Sequence, residues 1–245
     1  MTDTASPRDR IKVTVTRRLP QPVEARMAEL FDVQLRDVDV RMTREELAAA
    51  MRDTDVLVPT VTDHIDANLL AGAGERLRLI ANYGAGVDHI DVQSARQRGI
   101  LVSNTPGVVT EDTADMTMAL ILAVTRRIPE GLAEMQTGRW EGWAPTAHLG
   151  GRVGGRRLGI LGMGRIGQAV ARRASLGFGM RVIYFNRSAA GPFDGFEAEP
   201  RPDIRTVLAE ADVVSLHVPG GGGGPVVTAE LLAAMKSTAY LVNTA

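Results

Sequence analysis

The chain has 245 residues, enough for one large domain or two smaller ones, and its net charge of −1 gives no reason to expect nucleic acid as a partner. It has no cysteine, which excludes disulfides, thiolate metal sites and a cysteine nucleophile. No apolar stretch is long enough to cross a membrane and residues 1–10 lack the apolar core of a secretory signal, so we expect a cytoplasmic protein.

Short apolar strands alternate with helical patterns over the first hundred residues. Thr43 and Glu46 form the ends of a capping-box pattern that opens one helix, and Gly99 closes another. This alternation predicts a parallel sheet covered by helices. The predicted strands are residues 11–15, 33–35, 56–58, 77–81 and 100–103, and the predicted helices are residues 22–30, 43–51, 66–72 and 91–98.

A turn with a proline and a glycine, at residues 104–107, follows the last of these strands and predicts a hinge. The next predicted helix, residues 113–127, is apolar on nearly every side. Such a helix has to be buried all round, so we expect it between domains or in a subunit interface. Trp140 and Trp143 then lie in a loop, where they either cover a partner subunit or pack within their own domain.

The strongest motif begins at residues 158–161, a short apolar run that indicates a buried parallel strand. It leads directly into a G-x-G-x-x-G pattern, Gly162, Gly164 and Gly167, and a helical pattern follows. The first glycine permits a tight turn, the second lets a pyrophosphate approach the backbone, and the third lets helix and strand pack closely. The helix N-terminus adds N–H groups for phosphate. We therefore predict a dinucleotide site; the alternative is a glycine-rich turn without a ligand.

The second sheet follows from the strand patterns around this motif. The predicted strands are residues 158–161, 181–185, 196–199, 212–218 and 239–243. A dinucleotide-binding sheet has six strands, so we expect this one to lack its last strand within the 245 residues. The fold class is therefore α/β, with two doubly wound, Rossmann-like parallel sheets. We place a flavodoxin-like substrate domain at residues 1–104 and the dinucleotide domain at residues 105–245.

The end of the second strand of this sheet indicates which dinucleotide binds. NAD enzymes place Asp or Glu there, about 20 residues beyond the glycines, on the ribose 2′-hydroxyl. This chain has Asn186, Arg187 and Ser188, with no acid between Met180 and Gly191. A guanidinium pairs well with a 2′-phosphate, so the pattern favours NADP(H). The alternative is that Arg187 is solvated and Asn186 binds the hydroxyl of NAD(H).

Two further features are weaker. Five glycines at residues 220–224 lie at the carboxyl end of the sheet, where they either approach a cofactor or form a flexible surface turn. The four histidines are not spaced as metal ligands, so we predict no metal site. We interpret His64, His89 and His148 as surface or capping residues.

Several segments resemble the D-isomer-specific 2-hydroxyacid dehydrogenases, especially the glyoxylate/hydroxypyruvate reductase-like members. The segments are residues 82–91, 104–115, 161–167, 216–219 and 241–245. The resemblance implies an NAD(P)-dependent oxidoreductase that interconverts a small 2-oxo acid and its D-2-hydroxy acid, acts as a homodimer and uses the long helix in the dimer interface. The alternative is a catalytically inactive relative that binds only a nucleotide or a partner.

The resemblance also implies roles for individual residues. The substrate carboxylate would be held by the backbone N–H groups of Tyr83, Gly84, Ala85 and Gly86. The cofactor pyrophosphate would be held by Arg165 and Ile166. The adenosine would lie against His217, Val218 and Pro219, and the nicotinamide against Thr110 and Thr244.

The chain departs from the family pattern after its last matching segment. In the family, Asn-Thr-Ala is followed at once by an arginine that clamps the carboxylate and polarises the carbonyl, and a glutamate and a proton-donating histidine come later. None of these lies within the residues up to Ala245, and the cofactor-side context of His217 excludes it as a replacement. We therefore predict no catalytic residue in this chain, and no activity of the 245-residue polypeptide by itself.

Overall fold

The computed structural model of the protein describes residues 10–219 and 224–245. The chain divides after Val108 into two compact units, which we call unit 1 and unit 2. Each contains a five-stranded sheet in which every strand pairing is parallel. The predicted fold class is therefore confirmed. No helix among the described residues is long and apolar enough to cross a membrane.

Unit 1 has the strand order β2-β1-β3-β4-β5, which is the order of flavodoxin-like sheets. Its strands are β1 (Lys12–Val15), β2 (Asp32–Gln34), β3 (Val56–Val58), β4 (Leu79–Ala81) and β5 (Leu101–Ser103). Its helices are α1 (Gln21–Leu30), α2 (Arg44–Arg52), α3 (Ala67–Ala71) and α4 (Val92–Gln97). All nine elements had been predicted, most of them within two residues at each end.

Side-chain caps fix where the helices of unit 1 begin. Thr43 accepts a hydrogen bond from the N–H of Glu46, and the Glu46 carboxylate accepts one from the N–H of Thr43, so the predicted capping box is confirmed. The carboxylates of Asp66 and Asp91 cap α3 and α4 by accepting hydrogen bonds from the N–H groups of Leu69 and Ser94, respectively. Gly99 has a φ of 71° just beyond α4, a left-handed conformation that glycine adopts without strain.

Unit 2 has the strand order β10-β9-β6-β7-β8, the arrangement of the first five strands of a dinucleotide-binding sheet. Its strands are β6 (Arg157–Leu161), β7 (Arg181–Phe185), β8 (Ala198–Pro200), β9 (Val213–Leu216) and β10 (Tyr240–Asn243). Its helices are α5 (Thr110–Thr125), α6 (Ile128–Gln136), α7 (Arg165–Phe178), α8 (Ile204–Glu210) and α9 (Ala229–Leu232). Helices α6, α8 and α9 were not predicted.

Helix α5 differs from its prediction in position. It begins at Thr110 rather than at residue 113, and within unit 2 it packs against α7, β10 and α6. Its buried positions within unit 2 form a single stripe: Ala114, Thr117, Met118, Ile121 and Thr125. Met116, outside this stripe, is 57% exposed. The burial of the other positions between domains or in a subunit interface stays a prediction.

Candidate functional site

Gly162 makes the turn that leaves strand β6. Its φ is 98°, a conformation that other residues rarely adopt, and a Cβ on it would lie 2.5 Å from the carbonyl oxygen of His217. Its N–H donates to the carbonyl of Phe185 at 2.9 Å. The backbone after β6 therefore crosses so close to the residue after β9 that only glycine fits.

The other two glycines of the motif have opposite surroundings. A Cβ on Gly167 would lie 2.2 Å from the carbonyl oxygen of Gly162, so this glycine lets helix α7 pack onto the turn. A Cβ on Gly164 would meet no protein atom within 4 Å. Gly164 is also the N-cap of α7 and supplies no side-chain cap, so the first N–H groups of the helix, at Arg165 and Ile166, remain open to a ligand. Gly162 and Gly167 thus pack against the protein, and Gly164 faces the space where a pyrophosphate would lie.

Asn186, at the end of β7, is tied to the glycine turn. Its Oδ1 accepts a hydrogen bond from the N–H of Met163 at 3.1 Å, and its Nδ2 donates to the carbonyl and the hydroxyl oxygen of Ser188 at 3.0 and 3.3 Å. Both ends of the amide are thus used within the protein. Arg187 is exposed and forms no ion pair with any described residue. Its guanidinium is the cation that the turn offers to a ligand.

His217 lies beside the glycine turn but is held as a neutral ring. Its backbone N–H donates to the carbonyl of Leu161 at 2.8 Å, and its Nε2 lies 2.9 Å from the hydroxyl oxygen of Ser215. Its Nδ1 is buried without a partner among the described residues. Burial lowers the pKa of His217 to about 4, so the ring carries no charge near neutral pH. It can line a cofactor site, but it is a poor source of positive charge.

The remaining predicted cofactor residues border the same end of the sheet. Val218 lies next to the turn, since its Cγ1 would be 2.9 Å from a Cβ on Gly162, and Pro219 follows it exposed. Thr244 follows β10, and its hydroxyl lies 2.9 Å from that of Thr117 in α5. Thr110 is half-buried at the start of α5. Of the predicted glycine run, residues 220–223 lie outside the described residues.

The loop of unit 1 that resembles a substrate loop follows strand β4. The N–H of Tyr83 donates to the carbonyl of Pro59 at 2.8 Å, and the N–H of Gly84 donates to the carbonyl of Asn82 at 3.0 Å. These two amides are therefore engaged within the protein, although we had expected all four to hold a carboxylate. The N–H groups of Ala85 and Gly86 have no acceptor among the described residues. The loop therefore offers fewer free N–H groups than the sequence indicated.

The structure also corrects the interpretation of two histidines. His89 is half-buried, and its Nε2 lies 3.0 Å from the Oδ1 of the buried Asn82. His148 is half-buried in contact with the carboxylate of Glu134. Neither is an ordinary surface residue. No group of three His, Asp or Glu side chains in the described part of the chain converges as a metal site would require.

Comparisons with known proteins agree on one family. Residues 118–245 match the model described as the D-isomer specific 2-hydroxyacid dehydrogenase NAD binding domain. A glyoxylate reductase of Korarchaeum cryptofilum is 42% identical over 238 residues, which are 95% of this chain and 70% of that protein. Among solved structures, a protein of Thermus thermophilus has a TM-score of 0.83 and 43% identity, over 96% of this chain and 74% of that one.

A further solved structure carries ligands. It is an NADPH-dependent glyoxylate/hydroxypyruvate reductase of Sinorhizobium meliloti in complex with NADP and malonate. Its TM-score is 0.80 and its identity 31%, over 96% of this chain and 71% of that one. The likeness thus extends over both units at the level of the fold.

Proposed function

The chain belongs to the D-isomer specific 2-hydroxyacid dehydrogenase family, and we propose that its binding sites serve the reduction of a small 2-oxo acid of the glyoxylate or hydroxypyruvate type to the D-2-hydroxy acid. The observation that carries the proposal is the glycine turn of unit 2. A Cβ on Gly162 or Gly167 would overlap backbone atoms of the protein, while Gly164 faces open space at the start of a helix. That combination fits a dinucleotide pyrophosphate, and a bound nicotinamide supplies the hydride.

In this proposal each unit carries one binding feature of its own. Unit 1 holds the substrate carboxylate on the N–H groups of Ala85 and Gly86, which have no acceptor among the described residues. Unit 2 holds the cofactor on Gly164, Arg165 and Ile166, with the remaining predicted cofactor residues around them. Free backbone amides suit both tasks because a carboxylate and a pyrophosphate are both anions.

We propose NADPH as the preferred cofactor. Support comes from the turn after β7, where Asn186 is engaged with Met163 and Ser188 and the exposed Arg187 has no ion-pair partner among the described residues. A ribose 2′-hydroxyl could donate to the second lone pair of the Asn186 Oδ1 without displacing internal hydrogen bonds, but it would gain no charge-assisted pair. A 2′-phosphate gains such a pair with Arg187.

We also propose that the protein forms a homodimer through helices α5 and α6 and the loop after them. Large apolar side chains in this segment are each more than half exposed: Met116, Ile128, Leu132, Met135, Trp140 and Trp143. A run of exposed apolar side chains this long marks an interaction surface. The two tryptophans do not pack within unit 2, which favours the partner-covering alternative.

We further propose that residues 1–245 alone bind the cofactor without measurable turnover. Reduction of a carbonyl develops negative charge on its oxygen, which needs a cation and a proton donor. His217 is held neutral, with its Nε2 at the Ser215 hydroxyl, and His148 pairs with Glu134. Loss of one such stabilising group costs about 100- to 1000-fold in rate.

NADPH binding and glyoxylate reduction, measured on the native gene product and on the polypeptide of residues 1–245, test the proposal. We expect both to bind NADPH. A native product that carries the arginine, glutamate and histidine of the family should oxidise it when glyoxylate or hydroxypyruvate is added, and the polypeptide of residues 1–245 should not. Failure of the native product to reduce either acid would contradict the proposed substrate class. Steady turnover by the 245-residue polypeptide, with its mass verified, would contradict the proposed lack of activity.

A further inference from the structure

We propose that Asn82 and His89 are positioning residues that orient the substrate loop, residues 83–86, so that its free amides face an anion. The inference rests on the proposed function, because it assigns the anion as the carboxylate of the 2-oxo acid. Neither side chain is placed against the substrate itself. Their effect is exerted through the backbone of the loop.

The Asn82 side chain clamps two carbonyls of this loop. It is 3% exposed, and its Nδ2 donates to the carbonyl oxygen of Gly84 at 3.1 Å and to that of Gly86 at 2.8 Å. One amide nitrogen thus uses both of its hydrogens on two peptide groups that lie two residues apart. The loop is folded around this side chain.

The contact with His89 fixes which way the Asn82 amide faces. Carbonyl oxygens only accept hydrogen bonds, so the group that faces Gly84 and Gly86 has to be the NH2. The amide oxygen of Asn82 then faces the Nε2 of His89 at 3.0 Å, and this nitrogen has to carry the hydrogen. His89 therefore donates to Asn82, and Asn82 donates to the loop.

The geometry of the trans peptide group determines where the N–H groups of the clamped loop point. In a trans peptide group the C=O and the following N–H point in opposite directions. Because the carbonyls of Gly84 and Gly86 face Asn82, the N–H groups of Ala85 and Val87 face away from it. The N–H groups of Ala85, Gly86 and Val87 have no acceptor among the described residues. These three amides are therefore donors that a carboxylate could engage.

Further hydrogen bonds hold the carbonyls of Gly84 and Ala85 on the protein side of the loop. The Nδ2 of Asn104 donates to the carbonyl of Ala85 at 2.7 Å, which turns the N–H of Gly86 away from Asn104. The N–H of Thr105 donates to the carbonyl of Gly84 at 3.1 Å. A Cβ on Gly84 would lie 2.7 Å from Cγ1 of Val61, so the loop passes close to that side chain. Every carbonyl between residues 84 and 86 is held on the protein side.

NMR titration of the 245-residue polypeptide with oxamate, a carboxylate analogue of glyoxylate, tests the inference without requiring turnover. We expect oxamate to shift the backbone amides of Ala85, Gly86 and Val87 in the parent chain. His89→Leu removes the donor to Asn82, and Asn82→Asp places carboxylate oxygens against two carbonyls. Each should raise the Kd of oxamate by about tenfold.

Two controls separate orientation of the loop from general damage. His89→Gln keeps a side-chain N–H for Asn82 and should restore oxamate binding to within about twofold of the parent. His64→Leu changes a neighbouring histidine that makes no hydrogen bond among the described residues, and it should leave oxamate binding unchanged. The Kd of NADPH should be the same in all four variants.

The outcomes distinguish the inference from the function on which it rests. Absence of oxamate shifts at these amides in the parent would overturn the proposed carboxylate site and the inference with it. Binding by the parent with an unchanged Kd in both His89→Leu and Asn82→Asp would overturn the inference alone. Equal weakening by His89→Gln and His89→Leu would also overturn it, because the hydrogen bond would then be irrelevant.

Discussion

Each unit presents backbone amides without a partner among the described residues just after a parallel strand, but the two units hold those amides by different means. In unit 2 the turn after β6 is shaped by glycines, with Gly162 and Gly167 in places where a Cβ would overlap backbone atoms. In unit 1 the loop after β4 is shaped by side chains, chiefly the amide of Asn82. The glycine-held turn is therefore vulnerable to an added methyl group, and the side-chain-held loop to the loss of one donor.

The largest effect should come from adding a methyl group to the glycine-held turn. Gly162→Ala forces alanine into a φ of 98° and places its Cβ 2.5 Å from the His217 carbonyl oxygen. We expect it to lower the free energy of unfolding by about 3 kcal/mol or more, measured by urea denaturation. NADPH binding should be lost as well.

Gly164→Ala is the matched control, because its Cβ would meet no protein atom within 4 Å. We expect it to leave the free energy of unfolding within about 0.5 kcal/mol of the parent while weakening NADPH binding. Equal losses of stability in the two variants would show that the division between a protein-facing and a ligand-facing glycine is wrong.

The next effect is the pH dependence of the free energy of unfolding, to which two half-buried histidines, His217 beside the glycine-held turn and His89 beside the side-chain-held loop, should contribute. Burial lowers the pKa of His217 to about 4 and lowers that of His89 as well. Between about pH 6.5, the ordinary value, and pH 4 the unfolded chain takes up the proton at residue 217 and the folded chain does not. Stability should therefore fall as the pH drops through this range, by about 3 kcal/mol from His217.

Urea unfolding of the parent and of His217→Gln, between about pH 4 and 7, measures this contribution as the difference between the two curves. The loss at low pH should be smaller in the variant. His89→Gln should flatten the curve less. Parallel curves for the parent and His217→Gln would mean that His217 is not held neutral in the folded state.

A smaller effect is expected at the side chain that flanks the glycine-held turn. Arg187→Ala removes the exposed cation of the turn after β7 and should weaken NADPH binding by about tenfold while leaving NADH binding nearly unchanged. Fluorescence titration with both cofactors measures the two Kd values. Equal affinities of the parent for NADPH and NADH would refute the proposed preference.

The smallest effect is expected at the outer brace of the side-chain-held loop. Asn104 is exposed and contacts only one loop carbonyl, that of Ala85, whereas Asn82 is buried and contacts two. Asn104→Ala should weaken oxamate binding by about threefold, less than Asn82→Asp. An effect larger than that of Asn82→Asp would assign the main positioning role to Asn104.

The glycine-held turn was predictable from sequence and the side-chain-held loop was not, for a physical reason. Gly162, Gly164 and Gly167 are required by local backbone geometry, which a short motif records directly. The clamp at Asn82 depends on where the loop folds and on a histidine seven residues away. His89 was interpreted as a surface or capping residue, because its contact with Asn82 forms only when the loop is folded.

Fold and burial were predictable to different degrees. Apolar runs located all ten described strands, and β3 and β7 were predicted at their observed bounds. The helices α6, α8 and α9 were not predicted. The complete burial predicted for α5 stays a prediction, because composition alone does not state which neighbour covers each face of a helix.

The central claim is that a nicotinamide dinucleotide lies on the glycine-held turn with its adenosine ribose at Arg187. Backbone NMR of the 245-residue polypeptide titrated with NADPH and, separately, with NADH tests it most directly. We expect both cofactors to shift the amides of Gly164, Arg165 and Ile166, and NADPH alone to shift those of Arg187 and Ser188. Unmoved amides at the glycine turn in the presence of NADPH, or identical shifts at Arg187 with both cofactors, would contradict the account.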